Sequence, residues 1–184
     1  MIIGGESHKL RYSVYADCAI RELTEDGAGV SALFSDAHPL GTRLRNYAKV
    51  AVILNRSAKR NEAYLRGDDP DDAKADFSEH DFLSADKTEI ANAISSIAEA
   101  IVAGNKRTVF TQSKSKSGNE NRTEQNRAWF VFLGHELNMS REETLNTIYG
   151  EMCDQVSLLS VYNRTAELID EPKKLTFEEI MELR

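Results

Sequence analysis

The amino-acid sequence predicts a mainly α protein, a helical bundle with a short N-terminal β-hairpin, which in strict terms is an α+β fold. Apolar residues recur at helical spacing along most of the chain. Residues able to cap a helix stand before several of these runs. Near the start, Ile2 and Ile3 precede a Gly4-Gly5 turn, as in a hairpin. Together these patterns favour helices packed around a small amount of sheet.

The composition indicates a chain that folds without special devices. Its 184 residues are enough to bury a core without metals or disulfides, and 41% hydrophobic with 29% charged residues is ordinary for a globular protein. The widely separated Cys18 and Cys153 favour buried thiols in a reducing compartment over a disulfide framework. No stretch has the apolar length needed to cross a bilayer, and no signal-peptide pattern opens the chain. We therefore expect a soluble cytoplasmic protein without a membrane partner.

Residues 1–104 are predicted to hold the hairpin and helices of an N-terminal part. Alternating apolar residues extend the hairpin prediction beyond the turn: Leu10, Tyr12 and Val14. A helix is predicted from Tyr15 through Leu23, ending at Gly27 and Gly29. The hairpin therefore leads directly into a helix.

A long helix is predicted from Thr42 to about Leu65, because apolar residues form a stripe along it. Basic residues surround this stripe: Arg43, Arg45, Lys49, Arg56, Lys59 and Arg60. We interpret them as a solvated helix face rather than as an anion-binding surface. Asp86 and Glu89 form a capping-box pattern before a further helix that ends at Gly104.

The acidic segment from Gly67 to Ser84 is predicted to be an exposed connection. Four of its carboxylates match the first, fifth, ninth and twelfth positions of a calcium-binding loop: Asp68, Asp72, Asp76 and Glu79. Pro70 stands where a further ligand is needed, and Ala73 replaces the glycine of the sharp turn. A solvated acidic loop is therefore favoured over a calcium site.

Residues 105–122 are predicted to form a flexible polar loop, because Thr111 to Asn121 lack the apolar side chains that offset the entropy of ordering. The loop is basic but lacks the interleaved aromatic residues that stack on bases. The net charge of −7 also argues against nucleic acid as a partner. A tether that orders on binding a protein stays open as an alternative to plain surface disorder.

Residues 123–184 are predicted to form a C-terminal helical part, either separate from the first part or sharing one core with it. A helix runs from Ala128 to Leu137, and Ser140 with Glu143 forms a capping box before the next helix. Thr147 is predicted to cap a helix that extends toward Leu168. The segment 170–172 ends that helix, and residues 176–183 form a short amphipathic tail that must dock on the fold or on a partner.

The sequence offers no constellation typical of catalysis. The four histidines lack the helical pairings of zinc ligands, and no Gly-rich lysine loop is present to hold phosphate. His135 and Glu136 would form an acid and base pair with Asp154 only if the fold brought them together. We therefore predict that the protein is not an enzyme and has no catalytic, cofactor-binding or metal residue. A small hydrolase or calcium-dependent enzyme using the acidic segment is the competing hypothesis.

Two segments of the last third resemble tail assembly chaperones of long-tailed bacteriophages. They are FLGHELNMSREE at residues 132–143 and YGEM at residues 149–152. The opening is similar as well, with IGG at residues 3–5 leading to LRY at residues 10–12. The resemblance implies an N-terminal hairpin that leads into a helix and a C-terminal helical bundle.

The same resemblance implies a chaperone that acts in the cytoplasm of the bacterial host cell. Its partners would be the tape measure protein, which it binds and shields, and the tail tube protein, whose subunits it recruits during tail morphogenesis. A non-enzymatic structural adaptor of the phage virion is the alternative. Four large side chains are the candidate partner-binding residues, although side chains of this kind lie in a core more often than in an interface: Trp129, Phe132, Tyr149 and Met152. The sequence leaves open whether the chain forms a homo-oligomer.

Overall fold

A computed structural model describes residues 1–24, 29–113 and 126–169. Two short strands open the chain, β1 (Ile2–Ile3) and β2 (Glu6–Ser7), and two more pair later, β3 (Phe110–Ser113) and β4 (Ala166–Ile169). The helices are α1 (Val14–Arg21), α2 (Val30–Leu33), α3 (Leu40–Arg66), α4 (Glu79–Ser84), α5 (Lys87–Gly104), α6 (Arg127–Glu136), α7 (Arg141–Asn146) and α8 (Tyr149–Tyr162). The predicted mainly α fold with an N-terminal hairpin is confirmed.

The hairpin is held at its turn by α5. Gly4 and Gly5 both have positive φ values, 60° and 77°, which a two-residue turn of this kind requires. Their amide groups donate to the Glu89 carboxylate at 3.2 and 3.0 Å. Glu89 therefore binds the hairpin instead of completing the predicted capping box, and Asp86 alone caps α5.

The predicted extension of the hairpin through Leu10, Tyr12 and Val14 is wrong. The strands are two residues long, and Val14 is already the first residue of α1. Residues 8–12 instead lie along α3, where the Arg11 amide donates to the Leu54 carbonyl oxygen at 3.1 Å. An alternating pattern cannot distinguish a strand from an extended segment that packs along a helix.

The two long helices agree closely with their predicted bounds. α3 ends at Gly67, whose φ of 80° is the left-handed conformation of a helix C-cap. α5 ends at Gly104, as predicted. The interpretation of the basic residues on α3 as a solvated face is wrong for Arg60, which is 1% exposed, and Arg56 donates to the Ala73 carbonyl oxygen at 2.9 Å.

The acidic segment 67–84 is more ordered than an exposed connection. It contains a 3-10 turn at Pro70–Asp72 and the helix α4, which opens with a capping box of Ser78 and Asp81. Pro70, Phe77 and Phe82 are buried, and both the turn and α4 pack on α3. The carboxylates of the segment are mostly exposed, but the apolar residues between them are buried and hold the segment on the fold.

The C-terminal part contains a strand that the sequence did not predict. Thr147 ends α7 rather than capping α8, and α8 ends at Tyr162 instead of continuing toward Leu168. A positive φ at Arg164 turns the chain, and β4 then pairs antiparallel with β3. Thr111 to Ser113 therefore lie in a strand, not in the predicted loop, because backbone pairing across the fold stabilises a polar sequence. The capping box of Ser140 and Glu143 is confirmed.

Three predictions lie outside the described residues. They concern the helix end at Gly27, the remainder of the polar loop beyond residue 113, and the C-terminal tail beyond residue 169. The helix α1 ends at Arg21, before the predicted Leu23.

Two apolar clusters form the core, and α1 contributes to both. Ala16 and Ile20 of α1 pack in the first cluster, with the hairpin, α3, α4 and α5. Val14 and Cys18 pack in the second, with α6, α7 and α8. The division into parts at residues 104 and 123 stays a prediction. Along the stretches the structure describes, no helix is both long and apolar enough to cross a membrane.

Candidate functional site

An open groove of about 810 Å³ runs between α3 and α5, and we call it the α3–α5 groove. Residues 8–12 line it from the segment between the hairpin and α1. α3 contributes Ala58, Asn61, Glu62 and Leu65. α5 contributes Ser96, Glu99, Ala100, Ala103 and Gly104, and the start of α8 adds Ile148 and Glu151. Four parts of the chain that are distant in sequence therefore meet at this site.

Hydrogen bonds to α3 fix residues 8–12 in place. The Arg11 amide donates to the Leu54 carbonyl oxygen at 3.1 Å, and the Asn55 side-chain amide donates to the Lys9 carbonyl oxygen at 3.0 Å. At the far end, a Cβ atom on Gly104 would lie 2.5 Å from Cβ of Tyr12. Glycine thus allows α5 to approach this segment closely, so the floor of the groove is preformed.

The surface of the groove is partly apolar. Leu65, near the end of α3, is 74% exposed. On α5, Ser96, Ala100 and Ala103 follow one another at spacings of four and three residues, so they lie on one face of the helix. This wall presents small side chains, which leaves room for the side chains of a bound segment.

Charged groups surround the apolar surface. The Lys9 ammonium lies 2.9 Å from Oε1 of Glu62, and this hydrogen bond is the main reason that the pKa of Glu62 is lowered. The Arg11 guanidinium donates to the Asn146 carbonyl oxygen at 2.9 Å. Burial lowers the pKa of Arg11, and the nearby Glu151 carboxylate opposes that effect. The basic groups of the groove are thus already engaged with the protein.

The structure places three of the four predicted partner-binding residues in the second apolar cluster. Met152 is fully buried there. Trp129 and Tyr149 are half-buried and meet the Phe130 ring edge-on, at centroid distances of 4.8 and 5.9 Å. Only Phe132, which is 61% exposed, is available to a partner without rearrangement. None of the four lines the α3–α5 groove, and their binding of a partner stays a prediction.

The acid and base pair considered from sequence is not assembled. His135 and Glu136 are exposed on α6, whereas Asp154 on α8 accepts hydrogen bonds from Thr108 and Val109. Two of the four carboxylates of the calcium-loop pattern pair with cations of the protein, Asp68 with Arg66 and Asp76 with Lys59. Within the described ranges, no group of three or more His, Cys, Asp or Glu side chains is placed to hold a metal ion.

Sequence reasoning missed the groove. The sequence predicts an apolar stripe on α3 as far as Ala58 and the end of that helix near Leu65, but no local pattern shows that residues 8–12 lie against α3. The small residues of α5 are the sequence signal that could have indicated the groove. Ser96, Ala100 and Ala103 lie on one face of the helix, and none of them has a large side chain.

These features define a small, mainly α protein with an open, partly apolar groove. Comparison of the chain with protein-family models, with curated proteins and with solved structures finds no match in any of the three.

Proposed function

We propose that this protein is a phage tail assembly chaperone, which binds and shields the tape measure protein and recruits tail tube subunits without catalysing a reaction. The α3–α5 groove is the observation that carries the proposal. Grooves with apolar walls bind amphipathic helices through side chains spaced three and four residues apart. The tape measure protein as client comes from the sequence resemblance at residues 132–143 and 149–152.

The groove suits reversible binding. Its floor is held by hydrogen bonds to α3, so little ordering entropy opposes binding of a client there. Its apolar area is limited to a few side chains, among them Leu65, Ala100 and Ala103. An interface of this kind covers an aggregation-prone helix and releases it when the tube subunit competes for the same surface.

Co-expression with a tape measure fragment tests the proposal. We expect the protein to keep the fragment soluble, and we expect Leu65→Gln to weaken the complex. Burial of a leucine side chain in the complex contributes about 1.5–3 kcal/mol to the free energy of binding. Its loss therefore corresponds to a roughly tenfold or greater rise in Kd. The readouts are the soluble fraction of the fragment and the Kd measured by calorimetry.

Leu40→Gln is the matched control. Leu40 is also a leucine of α3 and is 65% exposed, but it lies at the other end of the helix, outside the groove. It should behave like the unchanged protein. Failure of the unchanged protein to bind either the tape measure or the tube protein would refute the proposal, and its presence in purified virions would favour the structural adaptor.

A further inference from the structure

The end of α8 and the strand that follows it expose large apolar side chains. Leu158 and Tyr162, one turn apart on α8, are 49% and 83% exposed. Leu168 of β4 is 59% exposed and lies on the same face of the strand as Ala166, which is buried. Because β4 contacts α8, these side chains belong to one region of the fold. We call Leu158, Tyr162 and Leu168 the α8–β4 surface, and none of them lines the α3–α5 groove.

The α8–β4 surface is too small to hold a separate protein. Full coverage of three partly exposed side chains buries on the order of a few hundred Å², whereas a stable interface between two proteins buries roughly 1,000 Å² or more. Charges of both signs lie beside the surface, Arg164 and Glu167, so charge alone selects no occupant. A tethered segment needs less contact, because a short linker keeps it at an effective concentration on the order of millimolar. The size of the surface therefore favours a segment of the same chain.

The residues that follow β4 begin at this surface. Ile169 ends β4 beside Leu168, and the chain continues with residues 170–184. Pro172 has no amide hydrogen with which to extend the ladder of β4. The chain from Ile169 to Phe177 spans at most about 29 Å, and the 14 residues of α8 measure about 20 Å along the helix axis. Phe177 is therefore within reach of the whole surface.

The sequence of residues 176–183 is that of a short helix with one apolar face. Phe177, Ile180 and Met181 follow one another at spacings of three and four residues, and the three glutamates of the segment fall on the other face. Thr176 and Glu179 match the capping-box pattern. Eight residues are too few for a helix that is stable in water by itself. Such a helix needs an apolar surface close at hand.

We propose that residues 176–183 dock as a helix on the α8–β4 surface of the same chain. Phe177, Ile180 and Met181 contact the surface, and the glutamates face solvent. Docking covers apolar side chains that would otherwise be open to non-specific association. This contact lies outside the α3–α5 groove and involves no client, so it goes beyond the proposed function.

Photo-crosslinking from position 177 tests the contact on the full chain. Photoreactive benzoylphenylalanine replaces Phe177, the dilute protein is irradiated, and mass spectrometry identifies the linked peptide. We expect a crosslink within the monomer to α8 or β4. A crosslink to the groove walls on α3 or α5 would overturn the proposal, and so would a crosslink between two chains or the lack of any crosslink.

Amide hydrogen exchange of residues 176–183 measures how firmly the segment is docked. We expect protected amides in the unchanged protein. Leu158→Gln should lower their protection about threefold to tenfold, because burial of the exposed half of one leucine is lost. Leu40→Gln is the matched control, since Leu40 is an exposed leucine of α3 outside the α8–β4 surface, and it should leave protection unchanged. Unprotected amides in the unchanged protein, or equal losses in the two variants, would contradict docking at this surface.

Combining Leu158→Gln with Phe177→Gln separates docking from damage to α8. Each change alone should lower the protection of the segment by a similar factor. Together they should lower it by less than the product of the two factors, because both remove the same contact. A full product would mean that the two side chains do not meet, and the proposal would be wrong. If Leu158→Gln disturbs the fold, seen as a shift in the fluorescence of Trp129 in the second apolar cluster, Leu168→Gln on β4 takes its place in both experiments.

Discussion

The Asp154 carboxylate holds the segment between α5 and β3 against α8. The amide and the hydroxyl of Thr108 each donate to Oδ2 of Asp154 at 2.7 Å. The Val109 amide and Nε of Arg107 donate to Oδ1 at 3.1 and 3.2 Å. Burial alone would raise the pKa of Asp154, but these hydrogen bonds outweigh it and lower the pKa. One side chain thus orders a segment that its composition marks as a loop.

We expect Asp154→Asn to lower the free energy of unfolding by about 2 kcal/mol at neutral pH, because hydrogen bonds to an ionised group are lost or weakened. Urea denaturation followed by circular dichroism measures the change. Glu6→Gln, which removes one carboxylate from an exposed strand position, is the control for net charge. A difference of less than about 0.5 kcal/mol from that control would show that the Asp154 hydrogen bonds contribute little.

The effect of Asp154→Asn should depend on pH. Since the pKa of Asp154 is lower in the folded protein, its contribution is present above the unfolded pKa, near 4. It is lost as the pH falls through the folded value. The stability difference between the two proteins should therefore be constant above about pH 5 and shrink below about pH 4. A difference that persists unchanged in acid would mean that the carboxylate acts by shape rather than by charge.

Helices could be predicted where their signals are local. The apolar stripe and the Gly67 C-cap of α3, and the Ser140 capping box of α7, each lie within a few residues of the helix they define. The strand pair β3 and β4 could not be predicted, because Phe110 pairs with Ile169 across 59 positions of sequence. Phe110, Thr111 and Ile169 favour strands, but two four-residue segments without clear alternation do not predict a strand until their pairing is known.

The contact between α6 and α7 depends on Gly134. A Cβ atom there would overlap the Thr144 hydroxyl and lie 2.8 Å from Cγ2 of Thr144. We expect Gly134→Ala to lower the free energy of unfolding by about 1–3 kcal/mol, because the helices must move apart. Thermal unfolding followed by circular dichroism measures the effect.

Gly41→Ala controls for the general effect of alanine in a helix. Gly41 lies in α3 with nothing within 4 Å of its added Cβ, so this variant should be as stable as the unchanged protein or slightly more stable. Adding Thr144→Ala to Gly134→Ala should cost less than the sum of the two single changes, since it removes the overlapping atoms. Simple additivity would indicate that Gly134 acts elsewhere than at this contact.

At the scale of the whole molecule, Arg60 of α3 connects the acidic segment to α7. Its guanidinium donates to Asp71 Oδ1 at 2.6 Å and to Glu142 Oε2 at 3.2 Å, and it lies 4.4 Å from the centroid of the Tyr15 ring. Arg141 also pairs with Asp71. α1, α3, the acidic segment and α7 therefore meet at one buried cation.

Neither this cation nor the groove could be predicted from the sequence. Arg60 belongs to a helix with many basic residues, and only the approach of Asp71 and Glu142 distinguishes it from its neighbours. The groove likewise forms only because residues 8–12 lie against α3. Long-range hydrogen bonds, such as that from the Asn55 side chain to the Lys9 carbonyl oxygen, hold them there. Sequence patterns report on single elements, whereas both features arise from the packing of several.

We expect Arg60→Ala to lower the free energy of unfolding by about 3 kcal/mol. This value is at the lower end of the range for breaking a buried ion pair, because Asp71 and Glu142 are partly exposed and water can solvate them once Arg60 is removed. Two optical probes can measure the effect on separate parts of the chain. Trp129 is the single tryptophan and reports on the second apolar cluster, while far-UV circular dichroism is dominated by long helices such as α3 and α5.

If the two parts share one core, both probes should follow a single denaturation curve in the unchanged protein. Without Arg60, contact between α3 and α7 is weakened, so the tryptophan curve should move to lower denaturant than the dichroism curve. Arg66→Ala is the control, because the Arg66 and Asp68 pair is exposed and should contribute less than about 1 kcal/mol. Coincident curves in the Arg60 variant would mean that the apolar contacts of α1 with both clusters suffice to couple the two parts. Separate curves already in the unchanged protein would instead support two independently folding domains, with residues 105–122 between them.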